Sequence, residues 1–303
     1  MDRSAFHAGE QALQARTGAR ARLEAVGGAV IRDHMPEAHR ELFGKLPTLL
    51  LAVQDDNGQP WATMLHGPAG FVSSPDARTL RVQAQPAAED PAAPWLVAGA
   101  AVGLLGLEPH TRRRNRANGR VRRLYDGGFE VQVLQSFGNC PKYIHVRRPE
   151  PAASHPARPA RQLGPMLDTS SLALLRRADT LFIASASGQR PGAARAEGVD
   201  VSHRGGLPGF VRIDTGPRGL RLTMPDYLGN FFFNTLGNLL AWPQAGVLVP
   251  DFADGSLLQL AAQASIVFDG PALADFPGAQ RLLQLDLLRG WWRPGALGLR
   301  WSA

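Results

Sequence analysis

With 303 residues, 44% hydrophobic and 19% charged, the chain can form one large globular unit or two ordinary ones, and it is too apolar to be disordered. Its 33 glycines and 24 prolines supply many turns and lean away from a helical bundle. A single cysteine, Cys140, excludes an intramolecular disulfide and a multi-cysteine zinc site.

The net charge of +7 carries less meaning than it suggests, because the chain writes Arg almost everywhere and Lys only at Lys45 and Lys142. The basic residues are uneven: Arg112, Arg113, Arg114, Arg116, Arg120, Arg122 and Arg123 follow one another with no acid between them. A solvated strand face is the ordinary reading of such a run, and the aromatic interleaving of a single-strand nucleic-acid platform is missing. We expect no nucleic-acid partner. The longest gently apolar run, 95–107, is too short to span a bilayer, and the first residues carry no apolar signal segment. The expectation is therefore a cytoplasmic protein without a membrane partner.

In chain order, residues 5–23 and 36–42 suit helices, and 48–53 reads as a strand. Asp56-Asn57-Gly58 makes a hairpin turn, and 61–66 returns. Strands are predicted at 70–73, 79–83, 100–107, 119–124 and 129–135, with a helix-capable piece at 94–98. Residues 149–165 hold five prolines and no apolar period, which predicts a linker between domains 1–148 and 166–303. Beyond it, 170–177 is an amphipathic helix. Strands follow at 180–184, 209–213, 220–224, 245–249 and 257–268, with a helix at 231–241 ended by Pro243.

The halves can be laid on one another. Thr48-Leu49-Leu50 matches Thr180-Leu181-Phe182, and His66 matches His203. Further on, Gly70-Phe71-Val72 matches Gly209-Phe210-Val211, Leu80 matches Leu220, Val102-Gly103-Leu104 matches Ala245-Gly246-Val247, and Val121 matches Ile266. The separation between partners grows gradually, as small loop insertions produce. The series predicts an internal duplication of a six-stranded antiparallel barrel with one helix, a mainly β fold.

Polar residues gather in the second half. Asn230, Asn234, Thr235 and Asn238 surround a helix start, where unpaired N–H groups suit a phosphate, although capping is the ordinary work of asparagine there. His203 and Arg204 precede a Gly-Gly turn and can orient an anion. In the first half, consecutive arginines on a strand alternate faces, so at least one turns inward and needs a partner. Lys142 stands out as a compact point charge in an arginine-rich chain. Cys140 reads as a packing residue. No spacing for a metal site, catalytic triad or P-loop occurs.

The stretches VGLLGLEPHTRRRNRANGRV (102–121), QSFGNCPKYI (135–144), ADTLFIASAS (178–187), GVDVSHRGGLPGFVRI (198–213), GNFFFNTLGNLLAWPQAGVLVPDF (229–252) and GALGLRW (295–301) resemble the pyridoxamine 5′-phosphate oxidase-like, FMN-binding split barrels, and more closely a two-barrel bacterial branch. The resemblance implies tandem split barrels holding FMN at their interface, within one chain as a pseudo-dimeric monomer or in a homodimer. It implies a flavin ring along 209–213, with Phe210, Val211 and Arg212, and a phosphate near Thr223, Pro225, Asn230, Asn234 and Asn238. Thr235 and Arg204 join that set. The basic pair of oxidase-type relatives is replaced here by Gly229-Asn230, so charge must come from elsewhere. Arg112, Arg113, Arg114, Asn115 and Lys142 of the first half are the candidates, because Glu89 and Asp90 would repel a phosphate at the first half's own counterpart.

The resemblance thus implies an FMN-dependent oxidoreductase with one composite site. The flavin carries the chemistry, and His203 and Lys142 polarise flavin or substrate. The substrate is a small molecule, and electrons come from NAD(P)H or a separate reductase. The alternative is a non-catalytic or haem-binding split barrel in which His66, His110 or His203 is the axial ligand.

Overall fold

A computed structural model describes residues 4–152 and 158–302. Two helices, α1 (Ala8–Arg16) and α2 (Arg20–Val30), and a third, α3 (Glu37–Lys45), precede the first sheet. That sheet comprises β1 (Thr48–Gln54), β2 (Pro60–His66), β3 (Val72–Asp76), β4 (Thr79–Val82), β5 (Ala101–Glu108), β6 (Arg113–Tyr125) and β7 (Gly128–Gly138), in the order β2-β1-β5-β6-β7-β4-β3. Two short strands follow, β8 (Arg148–Pro151) and β9 (Arg161–Leu163), and then α4 (Thr169–Arg177). The second sheet holds β10 (Thr180–Ala186), β11 (Val199–Gly205), β12 (Arg212–Thr215), β13 (Leu220–Asp226), β14 (Gln244–Pro250), β15 (Leu257–Val267) and β16 (Arg281–Arg293), with α5 (Asn234–Ala241) before β14. Its order, β11-β10-β14-β15-β16-β13-β12, repeats the first sheet strand for strand. A last strand, β17 (Leu299–Ser302), pairs with β8.

The duplication extends to register. Leu50 faces Leu105 as Phe182 faces Leu248, and Gly103 faces Ala52 as Gly246 faces Ala184. A β-bulge at Leu134 in β7 falls opposite the Asn118–Gly119 step of β6, and its counterpart at Leu288 in β16 falls opposite the Ala261–Ala262 step of β15. Three of the matched positions move. Thr48 faces His66 and Thr180 faces Gly205, so His66 corresponds to Gly205 and His203 to Met64. By the same ladders Leu80 corresponds to Leu222 and Val121 to Ala264. The repeated path has seven strands in each half rather than six, and among the described residues β9 joins the second sheet beside β16.

Other expectations shift as well. The segment at 5–23 is broken into α1 and α2 at Gly18, which adopts a φ of 68°. The helix expected from 231 begins at Asn234, because Phe231 and Phe233 take left-handed φ values of 62° and 64°. The strand at 209–213 begins at Arg212. The piece at 94–98 is a single 3-10 turn, Ala93–Trp95. Both ends of the proline-rich stretch are paired, β8 with β17 and β9 with β16, and its residues 153–157 lie outside the described residues.

The central strands explain their own composition. In β1, Leu49, Leu51 and Val53 enter the first barrel's core, whereas Leu50 and Ala52 enter a second cluster. In β10, Leu181 and Ile183 fill the second barrel while Phe182, Ala184 and Ala186 join that same second cluster. Strands buried on both faces must be apolar without alternation. The shared cluster is the seam between barrels. It closes tightly where β5 crosses β11 and β14 crosses β2: a Cβ on Gly103 would lie 2.7 Å from Asp200 Cα, and one on Gly246 would lie 2.3 Å from the Pro60 carbonyl oxygen.

Candidate functional site

One end of this seam opens into a cleft with about 160 Å³ of water-accessible space. The first half contributes Arg114 and Arg116 from β6 and Asn139, Lys142 and Tyr143 from the segment after β7; the second half contributes β11, the end of β13 and the start of α5. The cleft therefore exists only because the two barrels meet.

Arg116 anchors the floor. It is buried and pairs with Asp200 of β11 at 2.8 Å, donates to Asn234 Oδ1 at 3.0 Å, and bonds Ser202 Oγ. Ser202 Oγ also receives the Thr235 hydroxyl at 2.7 Å. Beneath α5, Glu10 of α1 accepts from Asn234 Nδ2 at 2.7 Å and from the His7 N–H at 3.0 Å. Burial pushes the Glu10 carboxyl up to about 8 and the His7 imidazole down to about 4. Helix α1 sits this close because Gly9 and Gly237 leave no side chains between the two helices.

The charge balance at the cleft is positive. Arg116 is matched by Asp200, and Arg204 and Arg281 share Asp226 at 2.8 and 3.2 Å. Arg114 and Lys142 have no carboxylate partner among the described residues. Arg114 donates instead to the Cys140 carbonyl and, at 2.9 Å, to His203 Nδ1. A guanidinium only donates, so Nδ1 holds the lone pair and the His203 ring proton sits on Nε2. Burial, then the neighbouring arginines, hold His203 neutral, well below the ordinary histidine range. Burial lowers Arg114 to about 10, still charged at neutral pH.

The turn into α5 lines the same cleft. Phe233 in the cap position offers no side-chain acceptor, so the first N–H groups of the helix are uncapped by any side chain. Two bulky residues held at positive φ in three positions mark a locally strained entry. Asn230 Oδ1 accepts the Phe232 N–H within it. At the mouth, the rings of Tyr143 and Tyr227 stack 5.3 Å apart.

The fold thus brings His203, Arg204, Phe210, Pro225, Asn230, Asn234, Thr235, Arg114 and Lys142 to one cleft. Other predicted residues lie elsewhere. Arg212 is on the surface, held by Asp214 and Asp275. Arg112 is exposed in a left-handed turn, and Arg113 is exposed and donates to the Ala38 carbonyl. Val211 is in the second barrel's core. Thr223 and Asn115 are buried in their strands, and Asn238 faces Ser185 at 3.0 Å, all three away from the cleft lining. His66 and His110 are also outside it. Sequence reasoning missed Asp200, Ser202 and Glu10. The short polar strand VDVSHRG was the signal for the first two; nothing local marks Glu10, which arrives from 224 residues away.

No family model matches the chain. No curated protein matches it either. Solved structures similar to it include HupZ of Group A Streptococcus, at 8% identity over 40% of this chain and 90% of that one, with a TM-score of 0.30. HutZ, the haem storage protein of Vibrio cholerae, aligns at 15% identity over 43% and 96%, with a TM-score of 0.28. An FAD-binding protein of Mesorhizobium loti aligns at 12% over 44% and 96%, with a TM-score of 0.29. Each covers less than half of this chain. Among the described residues no helix is long and apolar enough to cross a membrane, and no group of metal-ligating side chains occurs. With one strand order carried twice, the chain is a tandem of split barrels, the fold of the pyridoxamine 5′-phosphate oxidase-like proteins that its sequence resembles.

Proposed function

We propose that the inter-barrel cleft binds FMN and that the protein is a flavin-dependent oxidoreductase acting on a small molecule. The observation that carries this reading is that the pair of unmatched cations, Arg114 and Lys142, lines the same cleft as the uncapped start of α5. A dianionic phosphate satisfies both sides at once. The surrounding chemistry fits the rest of the group: Phe210, Pro225, Tyr143 and Tyr227 offer ring-sized apolar surface, and Asn234 and Thr235 offer polar contacts at its edge.

In this reading the bound flavin supplies hydride or electron transfer. Arg114 and Lys142 hold the phosphate, together with the first N–H groups of α5. Arg116, neutralised by Asp200, fixes Asn234 and Ser202 rather than binding the anion itself. His203, neutral and with its proton on Nε2, is a hydrogen-bond donor to flavin or substrate, and its orientation is fixed by Arg114. Lys142, exposed at the cleft, serves the phosphate in this reading, which leaves His203 as the polarising group. The electron donor is NAD(P)H or a separate reductase.

The visible spectrum of the purified protein tests this directly, followed by flavin release to count equivalents. We expect a flavin spectrum, lost in Asn234→Ala and Arg114→Met proteins that retain wild-type circular dichroism. A Soret band would replace this reading with the haem alternative; flavin retained by both variants would remove the assigned site.

A further inference from the structure

The strand ladders pair each residue of the cleft with a counterpart in the other half. Leu105 faces Arg116 as Leu248 faces Gln259, so Gln259 stands where Arg116 stands. Leu51 faces Thr63 as Ile183 faces Ser202, so Thr63 stands for Ser202. Phe137 and Trp291 correspond opposite those residues, and two residues on, Asn139 of the cleft corresponds to Arg293. The pseudo-twofold twin of the cleft is therefore built from Gln259, Thr63 and Arg293.

All three are buried, and they converge on one carboxylate. Asp90, 2% exposed, accepts from Gln259 Nε2 at 2.9 Å, from Arg293 Nη1 at 2.5 Å, from the Thr63 hydroxyl, and from the Ala92 N–H at 2.9 Å. Asp90 lies two residues before Ala92, the cap of the first half's short helix, and its Oδ1 accepts the Ala92 N–H as Asn230 Oδ1 accepts the Phe232 N–H ahead of α5. One half carries its own anion at this place. The other carries the neutral amide of Asn230 and leaves a cationic cleft open.

We propose that Asp90 is a built-in stand-in for a ligand's oxyanion: the pseudo-twofold twin of the cleft is an anion pocket formed by both halves, which the chain closes with its own carboxylate, leaving one ligand site per molecule. The pocket itself recognises a small two-oxygen acceptor, a carboxylate, through one guanidinium, one hydroxyl, one amide and one backbone N–H. Its consequence for stoichiometry rests on the flavin reading; the pocket does not.

Asp90→Ala empties the pocket and leaves Arg293 without its carboxylate, which lowers Tm by roughly 5–15 °C in chloride buffer. Formate at the same ionic strength refills it and recovers at least half of that loss. Wild type and Asp90→Asn, whose amide still fills the space, show no such response. The double variant Asp90→Ala with Arg293→Met loses the formate effect. Equal formate responses in all four proteins, or none in Asp90→Ala, overturn the proposal. Where Asp90→Ala is insoluble in chloride, refolding from denaturant decides: recovery in formate alone supports the pocket, and recovery in neither salt overturns it. Flavin release from wild type separates the two readings. One equivalent per chain agrees with both, two equivalents overturn the closed twin while the flavin reading stands, and none overturns the flavin reading while the formate result still decides the pocket.

Discussion

Replacing Gly103 by alanine sets a methyl group into the backbone of the facing barrel. Its Cβ would lie 2.7 Å from Asp200 Cα, 2.8 Å from the Val199 carbonyl oxygen and 2.9 Å from Asp200 C, all backbone atoms that cannot rotate away. On an open strand the exchange favours folding by about 0.5–1 kcal/mol, because glycine loses more backbone freedom. At this seam β11 must retreat by most of an ångström, and overpacking of a closed interface costs about 1–3 kcal/mol. The second effect wins, and the net loss is about 1–2 kcal/mol. Gly246→Ala meets the Pro60 carbonyl at 2.3 Å and follows the same sign. Gly28→Ala, in α2 with no atom within 4 Å of the new methyl, reverses it and gains about 0.5–1 kcal/mol. Urea midpoints of the three variants measure the differences. Because Asp200 is the partner of Arg116, Gly103→Ala also weakens ligand binding, more than Gly246→Ala does. If Gly103→Ala is as stable as wild type, the barrels do not meet along β5 and β11, and the composite cleft falls with them.

Removing an unmatched cation acts on affinity. Arg114→Met weakens FMN binding by about 10–100-fold by fluorescence titration, the range for a charge-assisted hydrogen bond; an unchanged Kd refutes its role. Arg112→Gly and Arg212→Ala leave that Kd within about twofold, since one sits in an exposed turn and the other in surface ion pairs. Arg112→Gly also raises stability by up to about 1 kcal/mol, as glycine suits the φ of 56°. The pH dependence has a definite sign. Glu10 is raised in the folded state to about 8 from 4.5, so its contribution is complete below 4.5 and is lost as pH climbs through 8. Glu10→Gln keeps an acceptor for Asn234 without the ionisation, so its stability relative to wild type grows across that window; a constant difference would show that Glu10 is not buried against α5. His7, lowered from 6.5 to about 4, acts oppositely and withdraws stability as pH falls from 6.5 to about 4.

The repeat was legible because a central split-barrel strand is buried on both faces. The runs TLLLAV and TLFIASA, with the glycine pair Gly103 and Gly246 at matching positions, record that burial directly in composition. Two strands of the repeated sheet escaped, as did the short β8, β9 and β17. β11 looks polar because Asp200, Ser202 and His203 bond Asn118, Arg116 and Arg114 of the other barrel across the seam. β16 was missed although its 283–287, LQLDL, alternates apolar and polar as a half-buried strand does. The entry to α5 was placed too early, since no propensity announces phenylalanines at positive φ.

The sequence by itself determined a duplicated, mainly β chain and the two polar segments, HTRRRNR and GNFFFNTLGN, that carry its chemistry. These are properties of local pattern and period. Which arginine is free, which is matched, and which faces solvent depended on partners far away in the chain: Asp200 for Arg116, Asp226 for Arg204, Asp275 for Arg212. Charge pairing and desolvation are set by distance in space. Only the meeting of the two barrels could decide that one twin keeps its own carboxylate and the other stays open.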